Sequence, residues 1–262
     1  MSVRPAAVAG LFYPADRAEL RSAIANELGS AAYCGCYPKA LIVPHAGYIY
    51  SAPTAACAYA ALKNAPVSRV ILVGPAHRVA FHGVAVASSS AFRTPLGDVP
   101  LAVDVPELAS RFDCVCVHDS AHAMEHSLEV QLPFLQMVLG SFELLPLCVG
   151  AVEASELAAV LESLRGDQQT LFVISSDLSH YHPYEQARIL DHATIGHILA
   201  GRAVDHEQAC GATGINAMGM VAQQHGMRAR LLDYRNSGDT AGDHDRVVGY
   251  ASLVYEAGDS DG

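Results

Sequence analysis

Histidine and aspartate residues follow four short apolar stretches of the chain. His45 comes after KALIV, His77 after RVILVG, and both Asp177 and His180 after TLFVIS, while Asp239 stands in the loop after ARLLDY. Short apolar runs between helical stretches are typical of buried parallel strands. In open α/β sheets, ligands bind beyond the carboxyl ends of the strands. We therefore expect these side chains to converge on one site.

His45 and His77 are the strongest pair of candidate metal ligands, because each follows an apolar strand directly. Two imidazoles at neighbouring strand ends suit a divalent transition metal. Alternatively, each ring caps a helix or bonds to the backbone. Asp239 would complete a set of two histidines and one carboxylate, which leaves open positions and suits non-haem Fe(II) and oxygen chemistry. The alternative for Asp239 is a solvated turn in which it is a capping residue.

Asp177 and His180 form a second candidate pair, three residues apart in SSDLSHYH. On one face of a tight turn, the carboxylate could orient the imidazole through its second nitrogen. His180 would then donate or accept a proton during catalysis. Asp177 could also cap the helix that follows, and the two roles are compatible.

The densest polar cluster outside the strand ends is HAMEHSLEVQ, residues 122–131. His122, Glu125 and His126 match the H-x-x-E-H spacing of inverted zincins, which requires one continuous helix. A lone match of this length is weak. We favour the alternative that His126 points into the shared site and that Glu129 and Gln131 hold it.

The elements that must position these residues alternate between strands and helices along the whole chain. This alternation predicts the α/β class, with a mainly parallel or mixed central sheet flanked by helices. Right-handed crossovers with short connections would bring successive site loops to one edge of that sheet. No internal repeat or linker marks a second domain, so we expect a single domain over residues 1–262, with 256–262 as a frayed tail.

Composition excludes several classes of protein. Of the 262 residues, 51% are apolar and 16% charged, which indicates a globular chain, and the net charge of −11 argues against nucleic-acid binding. No stretch approaches the roughly 18 apolar residues of a membrane-spanning helix. The N-terminal PAAVAGLFY is too short, and too interrupted by glycine, for a signal peptide. Seven cysteines without a C-x-x-C pair predict reduced thiols in a cytoplasmic protein.

Six motifs in fixed order resemble the Memo family, which includes protein B of the AmmeMemoRadiSam system of bacteria and archaea. The likeness spans nearly the whole chain. The family is structurally similar to class III extradiol dioxygenases, the LigB-like non-haem iron enzymes that open catechol rings, so the resemblance implies a LigB-like fold. The motifs are AGLFYP (9–14), PHAGYIYS (44–51), GPAH (74–77), EHSLEVQLPFL (125–135), SSDLSHY (175–181) and NSGDTAGD (236–243).

The resemblance also implies roles for individual residues. His45 and His77 match the family's two metal-binding histidines. His180 matches a site histidine positioned like the acid/base of the ring-cleaving enzymes, and Asp177 is its neighbour. His126 matches a further pocket histidine.

The third metal ligand is where this chain departs from the family pattern. In the animal Memo protein a cysteine of the last loop takes that role, whereas this chain has Thr240 there, beside Asp239. A carboxylate in place of a thiolate would shift the preference from copper toward iron or manganese. The third ligand stays open among Asp239, Thr240 and His180.

The function expected from the sequence is that of a Memo-family metal-binding protein. The first hypothesis is a dioxygenase-like oxidoreductase with non-haem iron, acting on an unidentified small substrate; copper, manganese and zinc are the alternative metals. The resemblance also permits a non-catalytic peptide- or ligand-binding protein, and protein partners from the AmmeMemoRadiSam system. The same ligands could support metal-dependent hydrolysis. Neither nucleic acid nor membrane is expected as a partner.

Overall fold

A mixed nine-stranded sheet and a small three-stranded sheet are present in the part of the chain that the computed structural model describes, residues 2–32, 35, 37–102, 105–166 and 169–257. The larger sheet has the order β10-β12-β2-β9-β3-β8-β4-β7, with β11 also paired to β12, and the smaller has the order β1-β5-β6. The strands are β1 (Val3–Arg4), β2 (Ala40–Val43), β3 (Arg69–Pro75), β4 (Val84–Val86), β5 (Ala91–Thr94), β6 (Gly97–Pro100), β7 (Val115–Val117), β8 (Glu143–Val149), β9 (Thr170–Ser175), β10 (His180–His182), β11 (Arg228–Asn236) and β12 (Val247–Glu256).

Helices cover both faces of the larger sheet and lie between its strands in the sequence. A short 3₁₀ helix, Ser237–Asp239, follows β11. No helix of the described residues is both long and apolar enough to cross a bilayer. The α-helices are α1 (Arg17–Ser30), α2 (Tyr48–Ala60), α3 (Val105–Arg111), α4 (Asp119–Ala123), α5 (His126–Glu129), α6 (Leu132–Leu139), α7 (Ala154–Leu164), α8 (Tyr184–Leu199) and α9 (Ala212–Gln224).

The central strands are buried on both faces, which explains their unbroken apolar sequences. In β2, Ala40 and Ile42 pack into one hydrophobic core, and Leu41 and Val43 into the other. Successive side chains of a strand point to opposite faces, so a strand covered on both sides needs apolar residues throughout. Helices α7, α8 and α9 contribute to the first core, and α1, α2 and α6 to the second.

The parallel register brings three strand ends to one edge of the sheet. Val43 of β2 pairs with Ser175 of β9, and Val73 of β3 pairs with Ile174. His45 follows β2 by two residues, and His77 follows β3 by two residues. The sheet is mixed because β12 runs antiparallel to β2, and β4 antiparallel to β8. The predicted α/β class with a mixed sheet is therefore confirmed.

Two details of the sequence prediction concern the chain ends and the thiols. Glu256 is still part of β12 and pairs with Arg228, so the predicted frayed tail does not begin there, while 258–262 lie outside the described residues. The described cysteines, Cys57, Cys114, Cys116, Cys148 and Cys210, are free thiols; Cys34 and Cys36 lie outside the described residues.

Candidate metal centre

The His45 ring is oriented by β9, the strand beside its own. His45 Nδ1 lies 2.9 Å from Ser175 Oγ. The Ser175 hydroxyl donates its hydrogen to the carbonyl oxygen of Ser127 at 2.6 Å, so toward His45 it can only accept. His45 therefore carries its proton on Nδ1 and keeps the lone pair of Nε2 for a metal. Gln131 donates a further hydrogen bond to the Ser175 hydroxyl at 2.8 Å.

Glu125 orients the His77 ring in the same way, by a contact with its Nδ1. Its carboxylate accepts hydrogen bonds from the His77 backbone N–H at 2.6 Å and from His77 Nδ1 at 3.0 Å. Burial by itself raises the pKa of Glu125, but contacts with the His126 and His77 rings and the backbone N–H groups of Ser127 and His77 outweigh it and hold that pKa well below its usual range. An ionised carboxylate accepts from Nδ1–H, which leaves the Nε2 lone pair of His77 free.

His126 is the third imidazole of the centre. It begins α5, whose N-cap is Glu125, and its Nδ1 lies 3.2 Å from the Glu125 carboxylate without hydrogen-bond alignment. Ring centroids are 5.2 Å apart for His45 and His77, 5.4 Å for His45 and His126, and 4.7 Å for His77 and His126. One nitrogen from each ring lies within 4.8 Å of the others, so the three could hold one metal ion.

The donor set fits a divalent transition metal. Burial, followed by the proximity of His77 and His126, holds the pKa of His45 well below its usual value, so this imidazole is neutral. Neutral imidazoles suit zinc, copper, iron and nickel. Three protein ligands with an open further position are the arrangement of catalytic rather than structural zinc sites.

The three histidines open into a cleft of about 560 Å³ that also contains Asp177 and His180. Asp177 accepts a hydrogen bond from the His45 backbone N–H at 2.7 Å, and burial raises its pKa. Within the described part of the chain, no hydrogen bond joins the Asp177 carboxylate to the His180 ring. Asp177 thus holds the loop that carries His45, and it does not orient His180 as the sequence suggested.

Asp239 is not brought together with the histidines. One of its carboxylate oxygens accepts from the hydroxyl of Tyr184, and the other accepts from the backbone N–H of Asn236 at 2.8 Å. These bonds cap the 3₁₀ turn after β11, which is the capping alternative considered from the sequence. Thr240 donates its hydroxyl to the carbonyl of Ser237 in the same turn. The imidazole that completes the candidate centre is His126.

Glu129 and Gln131 do not hold His126 directly. The Glu129 carboxylate is buried, and it accepts from Arg4 at 2.6 Å, from Tyr13, and from two backbone N–H groups of the N-terminal segment. Gln131 donates to Ser175 and so supports His45. Glu129 therefore contributes to the centre through Arg4 and the N-terminal segment, and Gln131 contributes through Ser175.

Arg4 ties the N-terminal segment to the chain around His126. Its guanidinium donates to the carbonyl of His122 at 2.6 Å and to the carbonyl of Glu125 at 2.9 Å, besides its ion pair with Glu129. Three partners from one short segment are thereby fixed by a single buried side chain. Sequence reasoning gave Arg4 no role.

The zincin alternative does not match the structure. His122 belongs to α4, which ends at Ala123, and His126 begins the separate helix α5. The His122 ring bonds through Nε2 to the carbonyl of Ala85 at 3.0 Å, and burial lowers its pKa to about 4. His122 therefore anchors this segment to β4, and the H-x-x-E-H spacing does not lie on one continuous helix.

Cys210 is a neighbour of the centre that the sequence did not indicate. Its Sγ lies 3.2 Å from His45 Nε2 and accepts a hydrogen bond from the Asp177 backbone N–H at 3.3 Å. Burial raises the pKa of this thiol to about 12, so it is protonated. Its hydrogen can point to His45 Nε2 or to the carbonyl of Asp177 at 3.7 Å, and the second orientation leaves the Nε2 lone pair for a metal. It stands far from His45 in the sequence, and no motif marks it. Glu125 could have been suspected, because it directly precedes a candidate site histidine.

Fold and site together define an α/β protein with a three-histidine candidate metal centre at the carboxyl edge of a mixed sheet. The family model described as Memo-like protein matches residues 4–254, so the chain belongs to the Memo family. It is 34% identical to a MEMO1 family protein of Thermoplasma volcanium, with 96% of this chain and 98% of that protein covered. For MEMO1 family proteins of Aquifex aeolicus and Methanopyrus kandleri the identities are 36% and 38%, over 97% of this chain and 100% and 99% of theirs.

Proposed function

We propose that this Memo-family protein binds a divalent transition metal through His45, His77 and His126 and uses it for non-haem oxidoreductase chemistry on a small substrate. The observation that carries the proposal is the approach of three ring nitrogens to within 4.8 Å of one another. The resemblance to LigB-like dioxygenases supports iron as the metal, with copper, manganese and zinc as alternatives. A cytoplasmic location and partners from the AmmeMemoRadiSam system stay predictions.

The residues of the chain have distinct tasks in this proposal. When bound, the metal supplies Lewis-acid and redox chemistry to groups in its open positions. Ser175 and Glu125 hold the Nδ1 protons of His45 and His77, which keeps both Nε2 lone pairs directed at the centre. His180 lines the same cleft, and its ring makes no hydrogen bond within the described chain, so it is the group placed to exchange a proton with a substrate.

Metal analysis of purified variants tests the ligand set. We expect one iron per chain in the wild type and its loss in His45→Ala, His77→Ala and His126→Ala, measured by plasma mass spectrometry. Asp239→Asn is the matched control and should keep the metal, because that carboxylate caps a turn. Metal retained by His126→Ala and lost by Asp239→Asn would contradict the proposed set.

His180 is tested separately from the ligands. His180→Ala should abolish turnover while the metal content stays at the wild-type value, because the residue moves a proton and holds no metal in this proposal. Metal loss in His180→Ala would make it a ligand instead.

Metal-dependent hydrolysis is a second candidate function, favoured by the donor set itself. Three neutral imidazoles with an open position are found in catalytic zinc sites, where the bound water becomes a nucleophile near neutral pH. Consumption of O₂ by the iron-loaded protein with its substrate supports the oxidoreductase. Zinc content with turnover in the absence of O₂ supports the hydrolase.

A further inference from the structure

Arg246 lines the same cleft as the three histidines and is unpaired there. Its guanidinium forms no ion pair with the part of the chain that the structure describes, and its contact is the ring of Tyr181, 5.0 Å from the guanidinium carbon. Several other exposed arginines of this acidic chain pair with carboxylates, for example Arg93 with Asp98 and Arg165 with Glu162. An unpaired arginine inside a cleft is suited to an anionic ligand.

Asp243 and Asp245 closely precede Arg246 in the sequence, and neither forms an ion pair with its guanidinium in the described part of the chain. Asp243 lines the cleft too, but its Oδ1 accepts from the backbone N–H groups of Asp245 at 3.0 Å and Arg246 at 3.3 Å. It therefore caps the turn that carries Arg246, and it forms no ion pair with the guanidinium in the described part of the chain. Stacking on a tyrosine face also leaves the in-plane N–H groups of an arginine free to bind a carboxylate.

Tyr181 reaches the cleft through an unusual backbone conformation. Its φ is +63°, and a bulge relative to β12 lies between His180 and His182. A bulge re-aims a side chain, and positive φ at a bulky residue is strained and concentrates at functional sites. Tyr181 is 61% exposed, so burial of its ring does not explain the strain. The conformation presents a flat aromatic face beside Arg246.

The aromatic walls of the cleft and its positive groups both suit a planar anion. Phe12, Tyr50 and Tyr250 line it together with Tyr181, which provides flat apolar surfaces for a planar group. An imidazole carries no charge when it is a metal ligand, so a dication held by the three rings would keep its charge toward the cleft. Asp177 and Asp243 also line the cleft, but both accept hydrogen bonds from backbone N–H groups. A bound metal and Arg246 are therefore the two positive groups that attract an anion.

We propose that the cleft takes a small planar acid, with its ring against the aromatic wall and its carboxylate on Arg246. The inference rests on the proposed function, because it takes the histidine cleft as the substrate site. It narrows the unidentified substrate to a class: aromatic or conjugated carboxylates that also carry an oxygen donor suited to the metal.

Calorimetric titration with matched acids and amides tests this class. The probes are 4-hydroxybenzoate and 4-hydroxycinnamate with their two neutral amides, titrated into the full chain in metal-free and zinc-loaded form. For at least one pair we expect the acid to bind about tenfold more tightly than its amide. In Arg246→Gln this preference should disappear.

Arg188→Gln is the matched control. Arg188 also stacks on a tyrosine, with its guanidinium carbon 5.8 Å from the Tyr184 ring, but it does not line the cleft. The acid preference should persist in this variant, and thermal unfolding should show that both variants fold. Equal binding of acids and amides by the wild type, or an unchanged preference in Arg246→Gln, would overturn the proposal.

The same samples separate this inference from the proposed function. Zinc content is measured beside each titration, and Arg246→Gln should bind as much zinc as the wild type. Zinc binding without acid preference would overturn the ligand class alone. An Arg246-dependent acid preference in the metal-free form, without zinc binding, would retain the ligand class and contradict the metal centre. A phosphotyrosine peptide that binds more tightly than both acids would overturn the small-molecule class.

Discussion

The floor and the rim of the cleft are built in opposite ways. The cleft floor comprises His45, His77, Glu125, His126 and Ser175. Short hydrogen bonds join His45 to Ser175 and His77 to Glu125, and the His126 ring lies 3.2 Å from the Glu125 carboxylate. The cleft rim comprises Tyr181, Asp243 and Arg246, which are exposed and have few partners. His45 is 2% exposed and Tyr181 61%.

The difference indicates that the floor and the rim have separate roles. Buried polar networks are costly to disturb, because each lost bond leaves a partner unsatisfied away from water. Exposed contacts contribute little to stability, so the residues that form them can be substituted without a large loss of unfolding free energy. We infer that the floor fixes the geometry of a metal while the rim selects its ligand, so substitutions in the floor should affect folding and metal affinity, and those in the rim mainly ligand preference.

The largest effect is expected where Arg4 supports the floor. Arg4→Met leaves Glu129, whose side chain is 0% exposed, without its cation, and breaking a buried pair in this way costs about 3–5 kcal/mol of unfolding free energy. Arg246→Met at the rim should change it by less than about 0.5 kcal/mol. Urea unfolding of both variants measures the contrast.

The double variant Arg4→Met, Glu129→Gln sharpens this prediction. It removes both charges and keeps a side-chain oxygen that can accept from Val8 N–H and the Tyr13 hydroxyl, so it should recover part of the loss. A single variant as stable as the wild type would show that the floor does not depend on this pair.

Acid should destabilise the folded protein through His122, which anchors the segment before the floor residues Glu125 and His126 to β4. Its pKa is about 4 in the folded protein against 6.5 for the free residue, because burial disfavours the charged form. The unfolded chain therefore binds more protons between these values. The stabilisation from neutral His122 is complete above pH 6.5, is lost as the pH falls toward 4, and amounts to about 3 kcal/mol. Urea unfolding between pH 4 and 7 measures it.

His122→Asn isolates this contribution, because asparagine does not titrate. The difference in unfolding free energy between wild type and variant should shrink steadily from pH 7 to pH 4. A difference that stays constant over this range would exclude His122 as the source of the pH dependence.

Glu125 should matter for metal affinity more than for any other property. In Glu125→Gln the amide can accept from the His77 backbone with its oxygen, but its NH₂ group then faces Nδ1–H of His77, donor against donor. Loss of such a carboxylate typically lowers metal affinity about 10–100-fold. Competition with a chromogenic zinc chelator measures this change.

Glu153→Gln is the matched control for Glu125→Gln. Glu153 is also a glutamate at a helix N-cap, but it is exposed and lies at the start of α7, outside the cleft. Zinc affinity should stay at the wild-type value. Equal losses in both variants would point to general destabilisation instead of a role at the metal.

The sequence predicts the parallel part of the sheet well, because burial on both faces leaves a continuous apolar signature. Strands such as β2 and β9 show it, and their parallel pairing determines that His45 and Asp177 meet at one edge. The loop after β11 also reaches that edge, where Asp243 and Arg246 line the cleft. The apolar pattern does not show which acidic side chain of this loop faces the cleft. Asp239 instead accepts a hydrogen bond from the backbone N–H of Asn236, a local partner that competes with a metal.

The contacts that hold the cleft floor in place are harder to predict from the sequence. Glu125 bonds to His77 across 48 positions, and Arg4 bonds to Glu129 across 125. Neither contact joins neighbouring strands, so no register rule predicts it. The segment between α4 and α5 is irregular, and its side chains are placed by tertiary packing instead of a repeating pattern.

At Tyr181 of the rim we expect a gain in stability, which is opposite in sign to the effects above. Tyr181→Gly removes an exposed ring and relieves positive φ, so we expect a gain of about 1 kcal/mol in unfolding free energy. Asn64→Gly is the control, because Asn64 has φ +64° but asparagine tolerates this region, and its gain should be smaller. Tyr181→Gly should also bind 4-hydroxybenzoate more weakly. A more stable variant that binds the acid unchanged would mean that the strained tyrosine does not serve the ligand, and the division between floor and rim would then rest on Arg246 alone.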